Sequence, residues 1–196
     1  MQNVTKFTIF ETKWGSFGLA AARFALLRTH LPAHNPEKVK AALLKNLPNP
    51  QYDKHLFKTL QRQIIAYFDG CTVNFSFRIS LALDGFSPFA ISVLTACRDI
   101  SFGKTITYAL LAKKAGKPAA ARAVGRVMAK NPLPLIVPCH RVIRTDGTLG
   151  GFSAPGGISL KRKLLSHEKK RKSKKYTNPL CQPKIKPQYK TLVLLA

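Results

Sequence analysis

The stretch TYALLAKKAGKPAAARAVGRVMAKNP, residues 107–132, decides the fold of the second half of the chain. Thr107 is placed to cap a short helix over residues 108–115, because its hydroxyl can accept from a free amide of the first turn. Gly116 ends that helix and Lys117-Pro118 makes the turn. A second helix over residues 119–130 stops at Asn131-Pro132, since a residue before proline is driven out of the helical region. Two short helices separated by a Gly-containing turn predict a helix-turn-helix, a unit that seats a helix in a DNA groove. Gly125 lies mid-helix, where it costs ~1 kcal/mol against Ala, and is expected to mark tight packing.

Upstream, residues 6–11 and 17–21 are apolar segments joined by Lys13-Trp14-Gly15-Ser16, a predicted β-hairpin. Asn35-Pro36-Glu37 predicts a helix running to about Leu47, with Asn as N-cap and Pro in the first turn. Asp53 is the expected cap of a second helix, in which Leu56, Phe57, Leu60, Ile64, Ile65 and Phe68 recur at helical spacing. Phe75, Phe77, Ile79 and Leu81 alternate with Ser76, Arg78 and Ser80 as a half-buried strand. Together these elements predict an α/β domain over residues 1–85. The second unit, residues 86–168, opens with a helix begun by Ser87-Pro88 that puts Phe89, Ala90, Val93, Leu94 and Cys97 on one face. After the helix pair come an extended apolar run over residues 133–137, a hairpin at Asp146-Gly147, and a last helix carrying Leu160, Leu164, Leu165 and Glu168. Residues 169–196 begin KKRKSKK and turn Pro- and Lys-rich, a tail expected to stay disordered until bound.

With 45% apolar residues in 196, the chain buries a real core, which excludes wholesale disorder. Its 33 Lys+Arg against 8 Asp+Glu give a net charge of +25, which points to a polyanionic partner, nucleic acid before an anionic membrane. The excess is +6 over residues 1–85, +10 over 86–168 and +9 over 169–196, so the tail is not its only source. No apolar run approaches the ~18 residues of a membrane span. Residues 1–11 lack a signal-peptide layout, so the expected location is cytoplasmic. Cys71, Cys97, Cys139 and Cys181 form no Cys-x-x-Cys pair and no zinc spacing, and in a reducing compartment they read as thiols.

Cys139 stands in Leu135-Ile136-Val137-Pro138-Cys139-His140-Arg141-Val142-Ile143. A lone Cys in an apolar strand is commonly a buried small hydrophobe. Here a His follows it directly, and Arg122, Arg141 and Arg144 are expected nearby; these cations would favour the thiolate, the nucleophilic form.

The run Pro138-Cys139-His140-Arg141-Val142 resembles the signature of the O6-alkylguanine-DNA alkyltransferases, the methylated-DNA–protein-cysteine methyltransferases. Thr105-Ile106-Thr107-Tyr108, Arg122-Ala123-Val124-Gly125, Asn131-Pro132-Leu133-Pro134, Leu149-Gly150-Gly151-Phe152 and Leu164-Leu165-Ser166-His167-Glu168 follow the family's order and nearly its spacing. The similarity is strong over residues 86–168, architectural over 1–85 and absent from the tail. It implies a ribonuclease-H-like α/β N-terminal domain and a mostly α C-terminal domain with a winged helix-turn-helix. It also implies a stoichiometric, irreversible transfer of a methyl or other alkyl group from O6-alkylguanine in double-stranded DNA to Cys139, with O4-alkylthymine a lesser substrate. No cofactor and no metal are implied, and the protein is expected to act as a monomer off the membrane.

The resemblance also distributes the roles. The damaged nucleotide is flipped out of the duplex. The helix beginning Ala119-Ala120-Ala121-Arg122 enters the minor groove, where Ala121 allows close approach, Arg122 fills the vacated stack and Thr107 touches DNA. Tyr108 stands near the base, Asn131 ties the helix pair to the cysteine segment, and Glu168 orients His140, which takes the thiol proton through a water. Met128, Pro134, Val142, Phe152 and Ser153 match pocket positions. Phe152 replaces the family's usual Tyr, and the loop Ala154-Pro155-Gly156-Gly157 is about two residues longer than its commonest form. One alternative is a non-catalytic helix-turn-helix lesion binder or regulator, which leaves Cys139-His140 with Glu168 unexplained. The other is a cysteine hydrolase, which needs an oxyanion hole and has no use for Arg122.

Overall fold

In the computed structural model, which describes residues 4–75 and 79–169, three consecutive antiparallel strands open the chain: β1 (Thr5–Thr12), β2 (Gly15–Ala22) and β3 (Ala25–Ala33). The predicted hairpin is present, with Lys6 opposite Ala21 and Glu11 opposite Ser16. The third strand was not expected, because its turn carries neither Gly nor Asn: Arg23 (φ 48°) and Phe24 (φ 67°) both take the left-handed conformation that those residues adopt most easily. Helix α1 (Pro36–Leu44) follows, with the Asn35 side chain accepting from Lys38 N at 3.1 Å. Strand β4 (Gln51–Tyr52) pairs parallel to β1, and β5 (Ser80–Leu81) parallel to β3, giving the order β4-β1-β2-β3-β5.

Central strand β2 is buried on both faces. Ala20 faces α1 with Phe7 and Leu43, and Gly18 lets that helix come close: a Cβ there would stand 2.9 Å from Leu43 Cδ2. Phe17 and Leu19 face the other way, into a core shared with α2 (Lys58–Phe68), α3 (Pro88–Arg98), α4 (Tyr108–Lys114), α5 (Ala121–Ala129) and α6 (Gly157–Lys169). The architecture is mixed α/β with six helices among the described residues, the sheet in the first half and four helices in the second. None of those helices is long and apolar enough to cross a membrane.

Ser87 and Thr107 cap α3 and α4 as expected, accepting from Ala90 N and Leu110 N. Other expectations need correction. Asp53 caps no helix: its carboxylate accepts from His55 N, two residues on, and pairs with Lys6, so α2 starts only after Phe57. The alternating strand shrinks to Ser80–Leu81, with residues 76–78 outside the described chain. The run 133–137 is buried but not a strand, because Leu135 (φ 77°) breaks the extended path. Asp146-Gly147 makes a turn without a hairpin ladder, since β7 (Val142–Ile143) pairs in parallel with β6 (Ile106–Thr107) instead. Gly125 is not tightly packed; a Cβ there meets nothing within 4 Å. Cys97 and Cys139 are free thiols, as expected. The basic tail lies outside the described residues.

The sheet also places the later chemistry. Thr29 on β3 donates its amide to Pro132 O (2.9 Å) and its hydroxyl to Pro134 O (2.8 Å), pinning the segment that leads into Cys139.

Candidate active site

Cys139 opens a single 3₁₀ turn, Cys139–Arg141, closed by Arg141 N donating to Pro138 O at 2.8 Å. Three residues per turn send successive side chains about 120° apart. The thiol therefore meets a pocket, while His140 and Arg141 turn inward onto α6. Asn131, just past α5, donates Nδ2 to Val137 O (2.9 Å) and accepts from Leu133 N (3.0 Å). Its side chain also bears on the Cys139 thiol, which it acts to lower in pKa.

The pocket measures about 590 Å³ and is walled by α4, α5 and the loop before α6. Tyr108, Ala121, Met128, Phe152 and Ser153 line it with Cys139, and exposed Arg122 stands on its rim. Gly125 faces the same space, which explains why its missing Cβ meets nothing. A second cavity of about 190 Å³ adjoins β3; it shares Cys139, Phe152 and Ser153, and adds Asn131, Pro134 and the loop residues Ala154 and Pro155. Two of the expected site residues do not line either cavity. Val142 is fully buried on β7, behind the pocket, and the Thr107 hydroxyl is engaged in capping α4.

Behind the thiol lies a buried polar cluster. His140 Nε2 stands 2.8 Å from Glu168 Oε1, and Arg141 donates Nε and Nη2 to the same carboxylate at 3.0 and 2.9 Å. Gly103 N donates to Oε2 (2.9 Å) and the Tyr67 hydroxyl to Oε1 (2.8 Å). Burial works to raise the Glu168 carboxyl, but His140 and Arg141 overcome it and hold it far below the usual carboxylate range. Glu168 is therefore an acceptor only, which assigns the proton to Nε2 of the neutral imidazole. Nδ1 keeps its lone pair and meets no partner among the described residues. It is the nitrogen able to take a proton.

The cations do not act on the thiol as expected. Arg141 is committed to Glu168 and to Ile100 O, and burial pushes the Cys139 thiol up despite Asn131 and the charge of Lys161. Burial pushes the His140 imidazole down. At rest, then, the pair is neutral thiol and neutral imidazole.

Sequence reasoning missed Lys161. Its side chain is fully buried, donates Nζ to Val142 O at 2.6 Å and stands 5.7 Å from the Tyr108 ring. The spacing carried the signal: Lys161, Leu164 and Glu168 fall at i, i+3 and i+7, and all three are buried on one face of α6. Tyr67 was missed because it lies 101 residues from the carboxylate it touches. Gly150, in Leu149-Gly150-Gly151-Phe152, stands against Tyr108: a Cβ there would meet the phenol hydroxyl at 2.6 Å. No group of three or more His, Cys, Asp or Glu able to hold a metal occurs among the described residues.

The family profile "6-O-methylguanine DNA methyltransferase, DNA binding domain" matches residues 88–170. A methylated-DNA–protein-cysteine methyltransferase of Methanosarcina acetivorans is 41% identical over 116 residues, covering 59% of this chain and 71% of that one. The Mycobacterium tuberculosis OGT crystallised with DNA superposes with a TM-score of 0.69 at 33% identity, over 85% of this chain and 94% of that one. The O6-methylguanine-DNA methyltransferase of Pyrococcus kodakaraensis gives 0.61 at 26% identity, over 84% and 99%.

Proposed function

The chain belongs to the methylated-DNA–protein-cysteine methyltransferases, and on that premise we propose how it works. It repairs DNA by direct reversal, moving an alkyl group from O6 of guanine in double-stranded DNA onto Cys139. The observation that carries this reading is one thiol at a pocket large enough to admit a base, with an oriented imidazole behind it.

An O6-alkyl group is out of reach inside the duplex, so the nucleotide turns out into the 590 Å³ pocket. Ala121 and Gly125 let the backbone of α5 approach closely, and Arg122 fills the gap left in the stack. Tyr108 and Ser153 supply hydroxyls beside the base; Phe152 supplies only a ring. His140 Nδ1 takes the thiol proton through a water, and Glu168 stabilises the imidazolium that forms. Thiolate sulfur attacks the alkyl carbon, the carbon–O6 bond breaks, and its electron pair stays on guanine, which gains a proton. The product is a thioether. It offers water no carbonyl and no good leaving group, so the protein acts once.

We read residues 1–85 as a ribonuclease-H-like domain, supported by the β1–β3 meander and the parallel pairing of β4 with β1. Residues 86–168 read as the alkyltransferase domain, with α4, α5 and the β6–β7 pair as a winged helix-turn-helix. A cytoplasmic, monomeric protein fits this reading.

Mass spectrometry after exposure to DNA containing O6-methylguanine tests it. One chain should accept at most one methyl, about 14 Da, on the peptide containing Cys139. Several turnovers per chain, or a label on Cys97 instead, would overturn the mechanism.

A further inference from the structure

Tyr67 sits at the end of α2, in the sheet half of the molecule and outside the residues matched by the family profile. Its ring is fully buried against Phe68, Phe75, Phe102 and His167, with centroids 5.0 to 5.8 Å away. A phenylalanine would satisfy those contacts. The hydroxyl adds a single hydrogen bond, 2.8 Å to Glu168 Oε1, the same oxygen that faces His140 Nε2 at 2.8 Å. The Tyr67 carbonyl meanwhile accepts from His167 Nε2 at 2.7 Å, so α2 grips the end of α6 at two consecutive residues.

A carboxylate offers about four lone-pair sites. Glu168 serves four donor groups, Tyr67, Gly103, His140 and Arg141, and Oε1 takes three of them. Donors that share one oxygen compete for its charge. What the tyrosine hydroxyl draws from Oε1 is no longer available to stabilise a proton on His140.

We propose that Tyr67 is a positioning residue that sets the basicity of His140 through Glu168, so that the sheet half tunes the alkyl-transfer chemistry of the helical half. The inference rests on the reading of His140 as the base. The other charged or titratable groups that bear on the imidazole are Arg141 and Cys139 on its own turn and Lys161 on α6. Tyr67→Phe changes the charge of none of these groups, although Arg141 shares Oε1 and takes part of what the hydroxyl gives up. Removing the hydroxyl leaves more carboxylate charge for the imidazolium, so the His140 pKa must rise.

Tyr67→Phe tests this in the full chain by two readouts. In unreacted protein, the His140 ring resonances should titrate about one pH unit higher than in the wild type. In single-turnover methyl transfer, the acid limb of the pH–rate profile should move up by a similar amount, while the rate on the alkaline side of the limb changes less than about twofold. Site-specific 3,5-difluorotyrosine at position 67, a stronger donor of almost the same shape, should move both readouts the opposite way. Unmoved titrations in both variants, or shifts of the same sign in both, overturn the proposal. If the wild type transfers no methyl group, the functional reading fails, yet the ring titration still decides the role of Tyr67.

Discussion

His140 Nε2 and Glu168 Oε1 lie 2.8 Å apart with side chains 0% and 1% exposed, and this contact decides which imidazole nitrogen is the base. Because the carboxylate stays ionised, the exchangeable lone pair is on Nδ1. Glu168→Gln keeps the shape but leaves the Arg141 guanidinium buried without its opposite charge. We expect a loss of about 3–5 kcal/mol in denaturant unfolding, and a transfer rate at least tenfold lower in whatever fraction remains folded.

Stability should depend on pH in one direction on the acid side. Unfolded, His140 binds a proton near pH ~6.5 and Glu168 near ~4.3, whereas both are depressed in the folded protein. The unfolded state therefore binds more protons, and the stabilisation is complete only above about pH 6.5. Melting temperature should be flat from about pH 7 to 8 and fall below 6.5, first through the imidazole and then through the carboxyl. A rise between pH 6.5 and 5 would show that His140 is not buried in its neutral form.

Arg122 stands exposed at the pocket rim and touches nothing in the His140–Glu168 cluster. Arg122→Ala should slow repair of duplex DNA tenfold or more while leaving reaction with free O6-benzylguanine within about twofold, because the free base needs no flipping. Equal losses on the two substrates would remove the stacking role.

Gly150→Ala should act through Tyr108. The added Cβ would lie 2.6 Å from the phenol oxygen and 2.8 Å from Cε2, so the ring must leave its place. Misplacement on that scale costs roughly 10- to 100-fold in rate, and here it should appear with the free base as well as with the duplex. A variant of unchanged rate would show that Tyr108 is dispensable to the pocket.

Lys161→Met should affect both stability and reactivity. Met keeps the length of the chain but leaves Val142 O without the ammonium's hydrogen bond, so a loss of about 1–3 kcal/mol in stability is expected. The lost positive charge should also raise the Cys139 thiol further and slow iodoacetamide alkylation at neutral pH. Unchanged alkylation across the pH range would confine Lys161 to a packing role.

The nine positive charges of residues 169–196 should add non-specific DNA affinity that falls steeply with salt. Deleting them should flatten the slope of log affinity against log salt and leave the rate at saturating DNA unchanged. An unaltered slope would assign the tail no part in DNA binding.

Local chemistry made much of this protein legible from its residues alone. Asn35, Ser87 and Thr107 announced their helices because a cap is made within three positions of the side chain that makes it. Cys139 and His140 were readable because adjacency in the chain and their functional pairing coincide. Tertiary structure decided the rest. Asp53 had the right chemistry for a cap, but a nearer amide and Lys6 claimed its carboxylate. Cations close in sequence were expected to ionise the thiol, yet Arg141 is neutralised by Glu168, 27 residues away, and burial dominates what remains. The carboxylate draws donors from residues 67, 103, 140 and 141, and a Lys on α6 becomes fully buried only when the helix docks. Caps and periodicities depend on a few neighbouring residues; the charge state of a buried group depends on every dipole packed around it, and no local pattern in the sequence records that assembly.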